Sequence, residues 1–206
     1  MALAPLRKYQ PKTINVVSMQ AVSGAGYPGV ASLDILDNVI PYIKGEEPKL
    51  NLEPAKMLGL YTGESVAPLP MQVSASCNRV PVLDAHLVCV TAIFEENPSI
   101  AEIITAWDSF IGPDPVPSLP TAPAQPVIYT HEEDRPQPRR DRDAGNGMST
   151  VVGRLRPNTV FGGVDFIALA HNTIRGAAGC SILNAELLRA KGYLESVAVE
   201  KIAAPV

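Results

Sequence analysis

Cysteine is scarce: Cys77, Cys89 and Cys180 are the only three in 206 residues. They form no Cys-x-x-Cys pair, and no histidine stands at zinc-finger spacing from them, which excludes a disulfide framework and a structural zinc site. Free thiols point to a reducing, cytoplasmic compartment. Charge is also low, at 18% of residues with a net charge of −4. A weakly acidic chain has no basic face for nucleic acid or for an anionic membrane surface. No apolar run reaches the roughly 18 residues that span a bilayer. The N-terminal MALAPLRKYQPK carries its positive charges after a short apolar stretch, the wrong order for a secretory signal. A Walker loop, a Gly-x-Gly-x-x-Gly opening a βαβ unit, a nucleophile elbow and a His-Glu-x-x-His helix are all missing.

What is present is apolar mass. Hydrophobic residues make up 46%, enough for one domain spanning residues 1–206. Proline, at 20 residues, is near twice its ordinary share of about 5%. Six prolines fall in 111–126, which reads as an extended surface crossover. Residues 3–9 read as a helix end and 14–19 as a buried strand. A Gly/Pro loop follows over 23–32. Leu33, Leu36, Val39, Ile40 and Ile43 recur at helical spacing behind Ser32, so a helix is expected to run to Ile43, with a second over 52–59. Strands are expected at 71–76, 79–83, 86–94, 127–130, 148–155 and 164–170. Helices are expected over 100–110, opened by Pro98 and Ser99, and over 176–191, with 135–147 a charged loop. Strands with helices between and after them give an α+β fold with a mixed or antiparallel sheet.

Four segments carry chemistry. In Cys77–His86, the fork of Arg79 suits an anion, and His86 titrates near neutral pH. Together they suit a site that orients an anionic substrate and moves its proton. On the residues alone, Arg79 paired with a surface carboxylate and His86 as a satisfied strand histidine is the favoured reading. Ser23–Gly29 (SGAGYPG) has glycines that let backbone approach a ligand, or form a tight turn. Glu46 and Lys49 in GEEPK are a candidate zwitterion or phosphate clamp, or simply solvated charge. Asn172, in HNTIRGAAG, offers a carboxamide at a helix start, or the segment is close helix packing. The arginines at 135, 139, 140 and 142 alternate with aspartates and read as loop salt bridges.

The strings VVSMQAVSGAGYPGVASLDILDNVIPYIKGEE, SCNRVPVLDAHLVCV, DRPQPRRDRD and HNTIRGAAGCSILNAELL resemble, in this order, segments of aspartate-semialdehyde dehydrogenases, especially the branch shared by fungi and archaea. The resemblance covers the chain but only the C-terminal half of the family's protein. It implies the family's catalytic and dimerisation domain, with a mixed, largely antiparallel sheet and helices on one face. By motif position His86 resembles the acid/base histidine and Arg79 the arginine that holds the substrate carboxylate. Glu46 and Lys49 resemble the pair near the substrate's amino and phosphate groups. Ser23 and Gly24 resemble the loop at the cofactor–substrate junction, and Asn172 an asparagine near the nicotinamide.

In the family an N-terminal half binds NADP and supplies a cysteine nucleophile, and phosphate releases the thioester. Those elements are expected before Met1. Cys77 does not stand in for the nucleophile, because the family carries its own cysteine in the Cys-Asn-Arg context. Ala85 replaces a usual glycine, and Arg140 adds a charge. The chain alone is therefore expected to bind no cofactor and to run no redox step. Met1 falls inside what resembles the helix after the family cysteine, which favours a naturally short chain. Three readings follow: a piece of an ordinary dehydrogenase, either its isolated C-terminal catalytic and dimerisation domain or a chain whose N-terminal half is separate; a repurposed isomerase, lyase or cyclase using His86; and a non-catalytic dimerising regulatory subunit.

Overall fold

The computed structural model describes residues 1–194. After a 3₁₀ turn at Ala4–Tyr9 the elements are β1 (Pro11–Gln20), α1 (Ser32–Ile35), α2 (Glu46–Met57), β2 (Leu60–Tyr61), β3 (Val66–Ala67), β4 (Gln72–Arg79), β5 (His86–Phe94), α3 (Ile100–Asp108), β6 (Val127–Thr130), α4 (Pro138–Asp141), β7 (Thr150–Pro157), β8 (Val164–Ala170), a π-helical turn at Ile174–Ala178, and α5 (Gly179–Ala190). Six strands form one sheet in the order β4-β1-β5-β8-β7-β6. The β1–β4 and β6–β7 pairs are parallel and the other three antiparallel. This is the expected α+β architecture, with α2 and α3 packed on one face.

Period-2 alternation builds that face. Ile14, Val16 and Val90 point into a core with Phe94, Val152 and Phe166, and α3 covers it with Ile103, Ala106 and Trp107. Trp107 stacks edge-on against Phe166 at 5.2 Å and donates its indole N–H to the Ala2 carbonyl at 2.8 Å, which ties down the N-terminal turn. A capping box starts α3: Ser99 Oγ accepts from the Glu102 N–H, and the Glu102 carboxylate accepts from the Ser99 N–H. The opposite face presents Val17, Met19, Leu87, Cys89, Ile93 and Ile167, exposed or half-buried.

Several boundaries differ from the sequence expectation. The helix expected to run to Ile43 is one turn, Ser32–Ile35. Asn38 ends it: its side chain donates to the Asp34 carbonyl at 2.7 Å and accepts from the Val39 N–H, competing with the helical backbone. Ile40 instead bridges to Arg79. The second helix begins at Glu46, not residue 52, because Pro48 lies in its first turn, where a missing N–H is tolerated. The strand expected over 79–83 is absent. The ladder stops after the Val80 N–H reaches the Gln20 carbonyl, and Pro81 has no N–H to continue it. The β2–β3 hairpin and α4 were not expected. The helix expected from residue 176 is a π turn followed by α5.

Candidate functional site

The C-terminal ends of β1, β4 and β8 and the N-terminal end of β5 meet at one edge of the sheet. Arg79 and His86 lie at the ends of β4 and β5, and Ser23, Gly24 and Asn172 in the segments that follow β1 and β8. Arg79 is the last residue of β4 and only 6% exposed. Its Nη1 donates to the Ala21 carbonyl at 2.7 Å. His86 opens β5, and its Nδ1 accepts from the Ala21 N–H at 3.2 Å. Nδ1 is thereby an acceptor, so the neutral ring carries its proton on Nε2. Beyond Ala21 a single turn, Val22–Ala25, carries Ser23 and Gly24. It is pinned to the 80–85 loop by bonds from the Val22 and Ser23 amides to the Val82 and Leu83 carbonyls. A Cβ on Gly24 would sit 2.9 Å from His86 Cε1 and 3.0 Å from Arg79 Nη1 and His86 Nε2. Only glycine lets the backbone lie over both side chains.

Glu46 comes from the first turn of α2. Its carboxylate accepts from Lys49 Nζ at 3.2 Å and from Gln20 Nε2 at 3.3 Å. Lys49 itself is 60% exposed. Asn172 follows β8; its Oδ1 accepts from the Ala85 N–H and its Nδ2 donates to Ser23 Oγ, both at 2.8 Å. Arg79 and His86 both bond Ala21, Ser23 and Gly24 follow it in the covering turn, Asn172 joins through Ser23, and Glu46 with Lys49 joins through Gln20.

Gln20 escaped the sequence reading. It is buried, and its amide nitrogen reaches both Ser18 Oγ and Glu46. The available signal was two polar residues, Ser18 and Gln20, on the inward face of a strand otherwise lined by Ile14 and Val16. Glu47 also escaped it; its carboxylate accepts the Cys77 N–H at 3.0 Å, on the open edge of β4. The other motif residues lie elsewhere. His171 is buried beside Thr173 Oγ1. Arg135 pairs with Asp141 in a brace for its own loop. No group of three metal-ligating side chains occurs among the described residues.

The electrostatics keep His86 neutral. Burial lowers its pKa most, the Arg79 guanidinium lowers it further, and the Ala85 backbone and Glu46 pull weakly the other way. Burial pushes the Glu46 carboxyl up, but hydrogen bonds from Lys49 and Gln20, with the fields of Lys49 and His86, hold it below the ordinary value. Burial also lowers Arg79, against the carboxylate of Glu46. The result is a buried cation and a neutral imidazole on one residue, Ala21, with a carboxylate on its neighbour Gln20. That set can hold a zwitterionic or anionic substrate and move one proton.

The sequence pattern described as "Semialdehyde dehydrogenase, dimerisation domain" matches residues 3–175. The chain belongs to the semialdehyde dehydrogenase family. An aspartate-semialdehyde dehydrogenase from Archaeoglobus fulgidus is 52% identical over 188 residues, covering 91% of the chain and 53% of the relative. A malonyl CoA reductase (NADP) from Metallosphaera sedula is 38% identical over 201 residues, covering 94% of the chain and 55% of the relative. The crystal structure of aspartate semialdehyde dehydrogenase with NADP from Candida albicans superposes with a TM-score of 0.83 at 38% identity, covering 94% of the chain and 55% of that structure. The family segment seen here spans about half the length of the curated relatives it matches, as the resemblance to a C-terminal half implies.

Proposed function

We propose that these residues are the substrate-holding and acid/base part of an NADP-dependent aspartate-semialdehyde dehydrogenase. The observation that supports this most directly is the buried Arg79 guanidinium sharing Ala21 with His86, with Glu46 within its field. Arg79 has further N–H donors for a substrate carboxylate. Glu46, steadied by Gln20, accepts from the substrate ammonium. Lys49, exposed at the rim, takes phosphate. Nε2 of His86 faces the Gly24 turn. It takes the proton released as the nucleophile adds to the carbonyl and returns one to the departing group.

NADP, when bound, supplies the hydride acceptor. The residues present fit one wall of its site. Gly24 offers side-chain-free backbone, and Asn172 Nδ2 keeps one hydrogen beyond its bond to Ser23. The nucleophile and the nucleotide loop belong to the family's other half, in the same polypeptide or supplied as a separate chain. The apolar strand face of Val17, Leu87 and Ile167 suits a second copy of the chain, making a dimer.

The relative that reduces malonyl CoA directs attention to the amino group, which malonate semialdehyde lacks. Glu46 beside Gln20 favours the amino-bearing substrate. The test is NADPH formation from aspartate semialdehyde and phosphate by the chain alone and with the family's N-terminal half added, against the same assay with malonate semialdehyde and coenzyme A. Turnover that needs the added half and depends on His86 supports the reading. Unchanged turnover in His86→Ala overturns it. No turnover in any arm returns the repurposed and regulatory readings.

A further inference from the structure

Ala85 stands immediately before His86 with a φ of +83°, a region that L-residues other than glycine rarely adopt. Such a residue is strained and persists only where its surroundings hold it. The residue is 1% exposed, so the neighbouring structure confines it. Its buried N–H needs a partner, and that partner is Asn172 Oδ1 at 2.8 Å. The Asn172 amide is unambiguous in orientation: turned over, it would set an NH₂ against the Ala85 N–H. Its nitrogen is tied to Ser23 Oγ, on the turn that covers His86.

The ring is held to the turn after β1 by the 3.2 Å bond from the Ala21 N–H. Rotation of the Ala85 peptide would swing the ring off that bond. Asn172 is the group that opposes the rotation.

We propose that Asn172 is a positioning residue for His86. Its carbonyl oxygen holds the Ala85 peptide in the left-handed region, and its nitrogen locks the Ser23 turn to the same point. The loop after β8, the turn after β1 and the start of β5 then move as one body. This rests on His86 being the acid/base, and it gives Asn172 a task independent of any contact with nicotinamide.

A double-mutant cycle tests it in the complete enzyme. Asn172→Ala lowers kcat by about 10- to 100-fold, the scale of a misplaced catalytic group. Glycine at position 85 adopts a positive φ freely. Adding Ala85→Gly therefore brings the Asn172→Ala enzyme to within about threefold of Ala85→Gly alone. An equal loss in both backgrounds overturns the proposal, because a residue serving only the cofactor is blind to position 85.

A second readout needs no turnover: the NMR titration of the His86 Cε1 proton. The charges facing the ring are Arg79 from β4 and Glu46 from α2. In Asn172→Ala the midpoint rises toward the roughly 6.5 of a free imidazole, and Ala85→Gly returns it. Ser23→Ala, which frees only the far end of the amide, shifts it in the same direction by less. If His86 titrates identically in all variants, the positioning role is wrong, whatever reaction the protein catalyses.

Discussion

Arg79 and His86 grip Ala21 from its two ends. The guanidinium donates to its carbonyl at 2.7 Å, and the imidazole accepts its N–H at 3.2 Å. The cation and the acid/base candidate are thus registered to each other through one residue. Any change that moves Ala21 moves both.

Gly24→Ala tests this registration directly. The new methyl meets His86 and Arg79 at 2.9–3.0 Å, tighter than ordinary van der Waals contact, so one of them must shift. A displacement near 1 Å lowers kcat/KM by about 100-fold. The site lies at the sheet edge and not in the Trp107 core, so thermal unfolding moves by no more than a few degrees. Steady-state kinetics and a melting curve on the same preparation check both outcomes.

Arg79→Lys keeps the charge and loses the fork. An ammonium cannot bond the Ala21 carbonyl and hold a carboxylate from two sides at once. KM for the semialdehyde rises about tenfold or more, by the roughly 1.5–3 kcal/mol of one charge-assisted bond, while kcat falls less. A loss confined to kcat would place the guanidinium away from the substrate carboxylate.

The pH profile carries its own signs. Burial and the Arg79 charge depress the His86 pKa, so kcat/KM rises with pH through a midpoint below about 6.5. Removing the charge in Arg79→Gln moves the midpoint up. Removing the Glu46 carboxylate in Glu46→Gln moves it down. Stability follows by linkage: the unfolded chain binds a proton near pH 6.5 that the folded chain refuses. This contribution is present above that pH and declines as pH falls toward the folded pKa.

The strands were the legible part of the sequence, and β5 (His86–Phe94) matches its expectation at both ends. It lies at the sheet centre with Val90, Ala92 and Phe94 buried on one face, where periodicity and packing agree. The segment after Ser32 shows the converse. Its helical spacing is real, yet Leu33 is 90% and Leu36 62% exposed, and Asn38 turns the chain away. Spacing reports which side chains share a face and does not say what covers it. Arg79, His86, Glu46 and Asn172 were visible as residue types. Their convergence was not, because it depends on four strand ends and on backbone atoms of Ala21 and Ala85 that carry no sequence signal. Gln20 was hidden by an ordinary polar identity at the end of an apolar strand.

The Arg135–Asp141 pair separates stability from chemistry. Asp141 is almost fully buried and Arg135 largely so; the carboxylate takes the guanidinium fork and the Gln137 N–H. Burial pushes the Asp141 pKa up, but those donors more than reverse it, leaving the carboxyl below its ordinary value. Its stabilisation is therefore present at neutral pH and disappears as pH falls through that depressed pKa. The brace also seats its loop on the sheet, since the Arg135 carbonyl lies against Gly153, where an added Cβ would meet it at 2.6 Å. Asp141→Ala leaves the Arg135 cation and the Gln137 N–H without their partner and lowers the denaturant midpoint. Asp141→Asn keeps an acceptor for the N–H and loses less. The brace shares no hydrogen bond with Arg79, His86 or Glu46, so denaturant midpoints move in both variants while KM stays within about twofold of the parent enzyme. A KM that rises in step with the lost stability would show that this loop and the Arg79–His86 edge unfold together.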